Sequence, residues 1–147
     1  MLIDLIPENF IKVVDKVDTY QEAVRIAGGI LVDNGCVEPR YVDKLVEVAE
    51  TFKYIVIAPH IAMPHSRPED GCIENGMSLL LLKEPIPFGH EEHDPVKAVF
   101  ALAGKDHNSH LQLLSELADA LDNESFMTKL LLIDNREDLI ALLSANE

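Results

Sequence analysis

The chain is poor in cations. Its 147 residues carry 12 lysines and arginines against 26 aspartates and glutamates, for a formal net charge of −14. Nucleic-acid binding rests on clustered Lys and Arg at phosphates, so this balance excludes a nucleic-acid partner and argues equally against an anionic membrane surface. It suits docking to a basic patch on a protein partner, where complementary fields speed encounter, although solubility alone would account for it. Long apolar runs are also lacking. A run such as Met77 to Leu82 falls far short of the roughly 20 residues needed to cross a bilayer, so no direct membrane insertion is expected. Met1-Leu2-Ile3-Asp4 has no basic n-region of a signal peptide, and a cytoplasmic location is expected. Only two cysteines are present, Cys36 and Cys72, with no CxxC spacing. A disulfide framework is thereby excluded, and both read as free thiols. Cys36 sits at an apparent helix end and reads as structural. Cys72 lies nearer the histidine-rich segment, where a reactive role competes with a plainer packing one. Neither an internal repeat nor a low-complexity segment is visible.

What is there fits one globular domain spanning residues 1–147. Apolar residues make up 48% and charged residues 26%, the balance of a soluble fold. A chain of this length buries about 70% of the surface its unfolded form exposes. Thr19-Tyr20-Gln21-Glu22 reads as a capping box. Ala23, Ile26, Ala27, Ile30 and Leu31 follow on one helical face, and Asn34-Gly35 stops that helix. A second helix begins near Pro39, where the missing N–H costs nothing, with Val42, Leu45, Val46 and Ala49 as its apolar stripe. Three strand candidates follow: Ile55 to Ile57, Ser78 to Leu82 and Val96 to Ala103. The second, continuously apolar, suits a strand covered on both faces. Three helices finish the chain. Ser109 is expected to cap the first, with Gln112 in capping-box position and Leu114, Leu117, Ala118 and Leu121 inside. Asp122-Asn123-Glu124 starts the next, burying Phe126, Met127, Leu130 and Leu131, and the last runs from about Arg136 to Leu143. This order makes an α/β domain with a sheet covered by helices.

The segment Ala58-Pro59-His60-Ile61-Ala62-Met63-Pro64-His65-Ser66-Arg67-Pro68-Glu69 carries the chemistry. Each of its three prolines fixes its own φ and biases the preceding residue away from helix. The result is a stiff, non-helical way to present an imidazole in a set direction. A neutral imidazole nitrogen of His65 can attack phosphorus, because histidine titrates near pH 7. Arg67 could then pair with the phosphoryl oxygens, and Ser66 or backbone N–H groups could donate to them. The competing reading is a loop in which His65 bonds a carbonyl and Arg67 is solvated.

Six histidines, His60, His65, His90, His93, His107 and His110, are enough for a metal site. Yet His90-Glu91-Glu92-His93 lacks the HExxH spacing of zinc peptidases, and Pro87, Gly89 and Pro95 argue against a helix there. No metal and no cofactor are expected. His93 and His107 read as solvated. His110, expected as the first or second residue of its helix, would lie where unpaired N–H groups and partial positive charge favour a phosphoryl group, although on the residues alone an exposed first-turn histidine is the favoured reading.

APHIAMPHSRPE, then PIPFGHEEHDPV, then HLQLLSELADALDNE, in this order and spacing, resembles the enzyme IIA component of the bacterial phosphoenolpyruvate-dependent sugar phosphotransferase system. The resemblance is to the mannitol/fructose type and, within it, to the ascorbate-specific subgroup. It runs from about Thr19 to about Leu143. It implies a mixed, five-stranded sheet between helical layers and a phosphoryl carrier. The phosphocarrier protein HPr would phosphorylate His65, the histidine of the PH motif, and His65 would pass the group to a cysteine of enzyme IIB. The membrane component, enzyme IIC, would use it on the incoming sugar. His110 would help hold the phosphoryl group, attachment at Nε2 is implied, and His90 would stand at the site wall. His60, five residues from His65, is expected to flank the site, which the resemblance does not require. Mannitol-type members carry an arginine upstream of the PH motif. Here the stretch Val46 to Tyr54 offers only Lys53, so the cationic role is expected of Arg67. The ascorbate-like pattern suggests ascorbate or a related acidic or pentose-like sugar.

Two functions of different class share His65: a transport phosphotransferase, and a regulatory module of the same fold that senses phosphorylation and binds other proteins. No DNA-binding or regulatory segment is attached, which tilts the expectation to transport. A metal-dependent hydrolase is a distant third.

Overall fold

The computed structural model describes residues 2–145. Its five strands are β1 (Ile11–Val14), β2 (Val56–Ala58), β3 (Ile61–Ala62), β4 (Gly76–Ile86) and β5 (Val96–Ala103). They form one mixed sheet in the order β1-β4-β5-β3-β2. β1 runs parallel to β4 and β3 parallel to β5, whereas β4–β5 and β2–β3 are antiparallel. Six helices surround the sheet: α1 (Leu2–Leu5), α2 (Tyr20–Asp33), α3 (Pro39–Thr51), α4 (His107–Leu121), α5 (Glu124–Leu132) and α6 (Arg136–Ser144). The α/β, five-stranded arrangement is the one the resemblance implied.

Alternate residues of the central strands serve two cores, because successive strand side chains point to opposite faces. Leu80 and Leu82 of β4, with Val99 and Ala101 of β5, pack against Ala27, Leu31 and Leu45 of α2 and α3. Leu79 and Leu81, with Phe100 and Leu102, pack against Leu117, Phe126, Leu130 and Leu139 of α4–α6. Burial on both faces is why Ser78 to Leu82 reads as one apolar run. Ser78, fully buried, is satisfied by donating to the Ala27 carbonyl at 2.7 Å.

The structure adds two strands to the three expected. β1 has four residues and β3 two, too short for an alternation pattern to register. Thr19 caps α2 by accepting from the Glu22 N–H at 3.1 Å, while the Glu22 carboxylate accepts from Asp18 rather than Thr19. The start of α4 is corrected. Its cap is Asp106, whose carboxylate accepts from the Ser109 N–H at 2.8 Å, so the helix begins three residues before the expected point. A carboxylate at N-cap satisfies the same donor a serine would and adds a favourable charge at the positive helix end. The stripe shifts too: Leu113 is buried with Leu117, Ala118 is exposed, and Leu114 and Leu121 are only partly buried, as are Met127 and Leu131 of α5. Asn123 and Asn135 cap α5 and α6 through their side chains.

Candidate active site

His65 lies just beyond β3, where the chain leaves the sheet. Leu102 of β5 stands opposite it in a parallel bridge, and the Leu102 N–H donates to the Pro64 carbonyl at 3.0 Å. Pro64 suits this position, since an edge segment that only has to accept needs no N–H. Nδ1 of His65 lies 3.0 Å from the Met63 carbonyl oxygen. A carbonyl can only accept, so Nδ1 carries the proton and the ring lone pair is on Nε2. The ring stands between two aromatic neighbours: Tyr54, near-parallel at 6.2 Å between centroids, and His110, tilted at 5.3 Å. Phe52 stacks in turn on Tyr54 at 5.2 Å.

His65 opens on a cleft of about 860 Å³ lined by residues of α3, by Phe52 and Tyr54 just after it, by the 65–70 segment and by the start of α4. Ser66, Arg67 and His110 line it with His65, as do Lys44 and His107. Four of the expected site residues are therefore brought together. His110 is the fourth residue of α4, not the first or second. Burial, and then the neighbouring His65 and His107, lower its pKa, so it is neutral at pH 7. Its Nδ1 is buried without a hydrogen-bond partner. The free helix end expected to cradle an anion is already occupied by the carboxylate of Asp106, which is held below its usual pKa chiefly by the Ser109 N–H.

Ser66 is present in the cleft, but its hydroxyl donates to Asp70 at 2.5 Å and its N–H donates to the hydroxyl of Tyr41 at 3.1 Å. Asp70 is the buried charge of this segment, 7% exposed. The Ser66 hydroxyl, and then the N–H and charge of Arg67, hold its carboxyl below the usual range. Arg67 is largely exposed, with Nε 3.6 Å from Asp70 Oδ2. Lys44, the other cation on the cleft wall, lies 3.5 Å from Glu47. Lys53 instead sits over the Tyr20 ring, 4.7 Å from its centroid. It does not line the cleft, which leaves Arg67 and Lys44 as the cations there.

His60 and His90 are not brought to this cleft. The His60 carbonyl accepts from Lys97 and Ala98, at the opposite end of β5 from Leu102. Five residues of strand separate the two positions, on the order of 16 Å. His60 Nδ1 bonds the Pro95 carbonyl, and His90 stacks on His93 at 4.6 Å between centroids. His93, expected as solvated, buries its Nδ1 against that stack. His107 is exposed as expected, yet it stands on the cleft wall. Among the described residues no group of three or more His, Cys, Asp or Glu is arranged to hold a metal ion. Burial pushes the Cys72 thiol up to about 11, so it is protonated at neutral pH and a poor nucleophile.

Three residues were missed by reading the sequence. Tyr41 and Asp70 are buried partners of Ser66, and Gly104 lies under His110. Spacing offered a signal only for Asp70, four residues after Ser66 in a turn opened by Pro68. Tyr41 is on another helix, and no pattern along the chain relates it to His65.

Comparison with known proteins agrees with this fold. An "Ascorbate-specific PTS system EIIA component" from Salmonella choleraesuis is 36% identical over 141 residues, covering 95% of this chain and 92% of that protein. The solution structure of the mannitol-specific cryptic phosphotransferase enzyme IIA from Escherichia coli superposes with a TM-score of 0.88 at 30% identity, covering 97% of each chain. Enzyme IIA of the mannitol system, in its complex with phosphorylated enzyme IIB from Escherichia coli, gives 0.80 at 30% identity, covering 94% of this chain and 96% of that one. The family model described as "Phosphoenolpyruvate-dependent sugar phosphotransferase system, EIIA 2" matches residues 4–146. The chain belongs to that family, and is a phosphoryl-carrying enzyme IIA of sugar uptake.

Proposed function

We propose that His65 is the residue that carries the phosphoryl group, on Nε2. The observation that carries this reading is that His65 opens on the cleft it shares with His110 and Arg67, and the Nδ1 contact with the Met63 carbonyl leaves its lone pair on Nε2. In the forward step this lone pair attacks phosphorus of phosphorylated HPr, the P–N bond to the HPr histidine breaks, and its electron pair returns to that imidazole. In the second step a cysteine thiolate of enzyme IIB attacks the same phosphorus and His65 regains its lone pair. The likeness to an enzyme IIA seen in complex with phosphorylated enzyme IIB supports the second partner.

His110 assists and does not accept. A neutral imidazole beside the developing phosphoryl group can donate a hydrogen bond, and can take up a proton as negative charge arrives. Arg67 supplies charge at the rim of the cleft, where phosphoryl oxygens spread their charge in the transition state. The whole chain, residues 1–147, acts as a single cytoplasmic domain, and the membrane enzyme IIC receives the phosphoryl group only through enzyme IIB. The sugar is ascorbate or a chemically similar acid, as the ascorbate-specific relatives suggest.

The test is incubation with phosphoenolpyruvate, enzyme I and HPr, followed by mapping of acid-labile phosphate. Label on His65, absent from His65→Ala, is the expected result. Label retained by His65→Ala sinks the assignment.

A further inference from the structure

In a parallel rung centred on His65 and Leu102, two hydrogen bonds are expected: Leu102 N–H to the Pro64 carbonyl, and Ser66 N–H to the Leu102 carbonyl. The first is made, at 3.0 Å. Both groups of the second also meet the hydroxyl of Tyr41, which accepts from the Ser66 N–H at 3.1 Å and donates to the Leu102 carbonyl at 2.7 Å. The same oxygen lies 3.2 Å from the Ser66 carbonyl, but a phenol has one proton and the Leu102 carbonyl is the nearer acceptor.

Tyr41 is a fully buried side chain of α3, a helix that contributes no reacting group. Burial drives its pKa upward, so the hydroxyl stays protonated and keeps its donor. One buried hydroxyl thus ties the backbone just after His65 to β5. Asp70 holds the Ser66 side chain from the other direction. The residue after His65 is thus fixed at both backbone and side chain, while the residue before it is fixed by β5.

From this geometry we infer that Tyr41 is a positioning residue for phosphoryl transfer: its hydroxyl ties Ser66 to Leu102 and so helps set the direction of the His65 imidazole. Tyr41 itself touches neither the phosphoryl group nor a partner. The inference rests on His65 being the acceptor. Without the hydroxyl, the Ser66 N–H and the Leu102 carbonyl lose a partner, and the segment that follows His65 loses a tie to β5.

The experiment measures single-turnover transfer from phosphorylated HPr to the wild-type protein, to Tyr41→Phe, and to Val46→Ala. Val46 is a buried α3 residue away from the cleft and controls for lost stability. Tyr41→Phe is expected to label His65 to completion but about tenfold or more slowly at saturating HPr, because small misplacements of a reacting group cost that much. Half-saturation should change by less than about twofold, since removed orientation lowers the maximal rate and not uniform binding. Nitrogen chemical shifts of the His65 ring should move in Tyr41→Phe and stay put in Val46→Ala. A folded Tyr41→Phe with the wild-type maximal rate, or one slowed no more than Val46→Ala, overturns the inference. So does a wild-type Ser66 amide that exchanges hydrogen at the rate of an open loop, a measurement that needs no variant. His65→Ala run in parallel separates the two readings. Label on that variant condemns the acceptor assignment, whereas its absence with a fast Tyr41→Phe condemns only the role of Tyr41.

Discussion

Gly104 and His110 are in backbone contact: a methyl group on residue 104 would lie 2.7 Å from both Cα and Cβ of His110 and 2.9 Å from its nitrogen. The first turn of α4 rests on the end of β5 with no room for a side chain between them. This closeness brings the His110 ring to 5.3 Å from that of His65.

Gly104→Ala should therefore push α4 off the sheet. The atoms met belong to backbone and Cβ, which cannot swing aside, so the cost should fall within the roughly 1–3 kcal/mol typical of overpacking. Urea unfolding would read the loss, and transfer from HPr should slow even in the fraction that stays folded. A variant of unchanged stability and rate would show that the contact yields freely.

Acid should weaken the unphosphorylated protein partly through His110. Its pKa is lowered in the folded state, first by burial. As pH falls below the ordinary histidine value near 6.5, the unfolded chain takes up a proton that the folded one does not. Stability present above that pH is lost until the folded pKa is reached, with the slope set by the difference in bound protons. His110→Gln should flatten the dependence between neutral and mildly acid pH, measured as urea midpoints. On phosphorylation of His65 the His110 titration, followed by NMR, should move to higher pH, because a dianion favours the charged imidazolium. A titration that stays fixed would place His110 outside the field of the phosphoryl group.

Removing the His110 ring should slow transfer and leave His65 phosphorylatable. The loss of one hydrogen bond to a charged group is worth about 1.5–3 kcal/mol, or roughly ten- to a hundredfold in rate. Stopped-flow transfer with His110→Ala would show it, and equal rates in both directions would contradict it.

Arg67→Ala should cost little stability, since the guanidinium is largely exposed and buried Asp70 keeps its bonds from the Ser66 hydroxyl and the residue 67 N–H. Its effect belongs in the transfer rate. Arg67→Lys should recover only part of the loss, because lysine keeps the charge without the planar fork. If Arg67→Ala weakens binding of HPr or enzyme IIB with the saturated rate intact, Arg67 is a docking residue.

His90→Ala and His60→Ala should transfer at the wild-type rate within about twofold. Both stand at the end of the sheet remote from Leu102, roughly 16 Å away along β5, and a large loss of rate in either would mean that this end contributes to the reaction.

The sequence by itself determined much of this protein. The proline-framed His65, the capped helices α2, α5 and α6, and the buried strands β4 and β5 follow from local rules: fixed φ, cap chemistry and apolar patterning. Three spaced segments were enough to find the family, and with it the five-stranded sheet that patterning alone had left at three strands. Tertiary structure decided which histidines meet. His60 and His110 are respectively five and 45 residues from His65, yet the distant one reaches the ring. The reason is the parallel pairing of β3 with β5, which puts the loop after each strand at the same end of the sheet and His60 at the other. Ser66 could be read as a phosphate donor until Tyr41 and Asp70 were seen to hold it. A hydrogen bond between a helix and a loop 25 residues apart leaves no periodic trace, because it depends on where two elements pack and not on the order of residues within either.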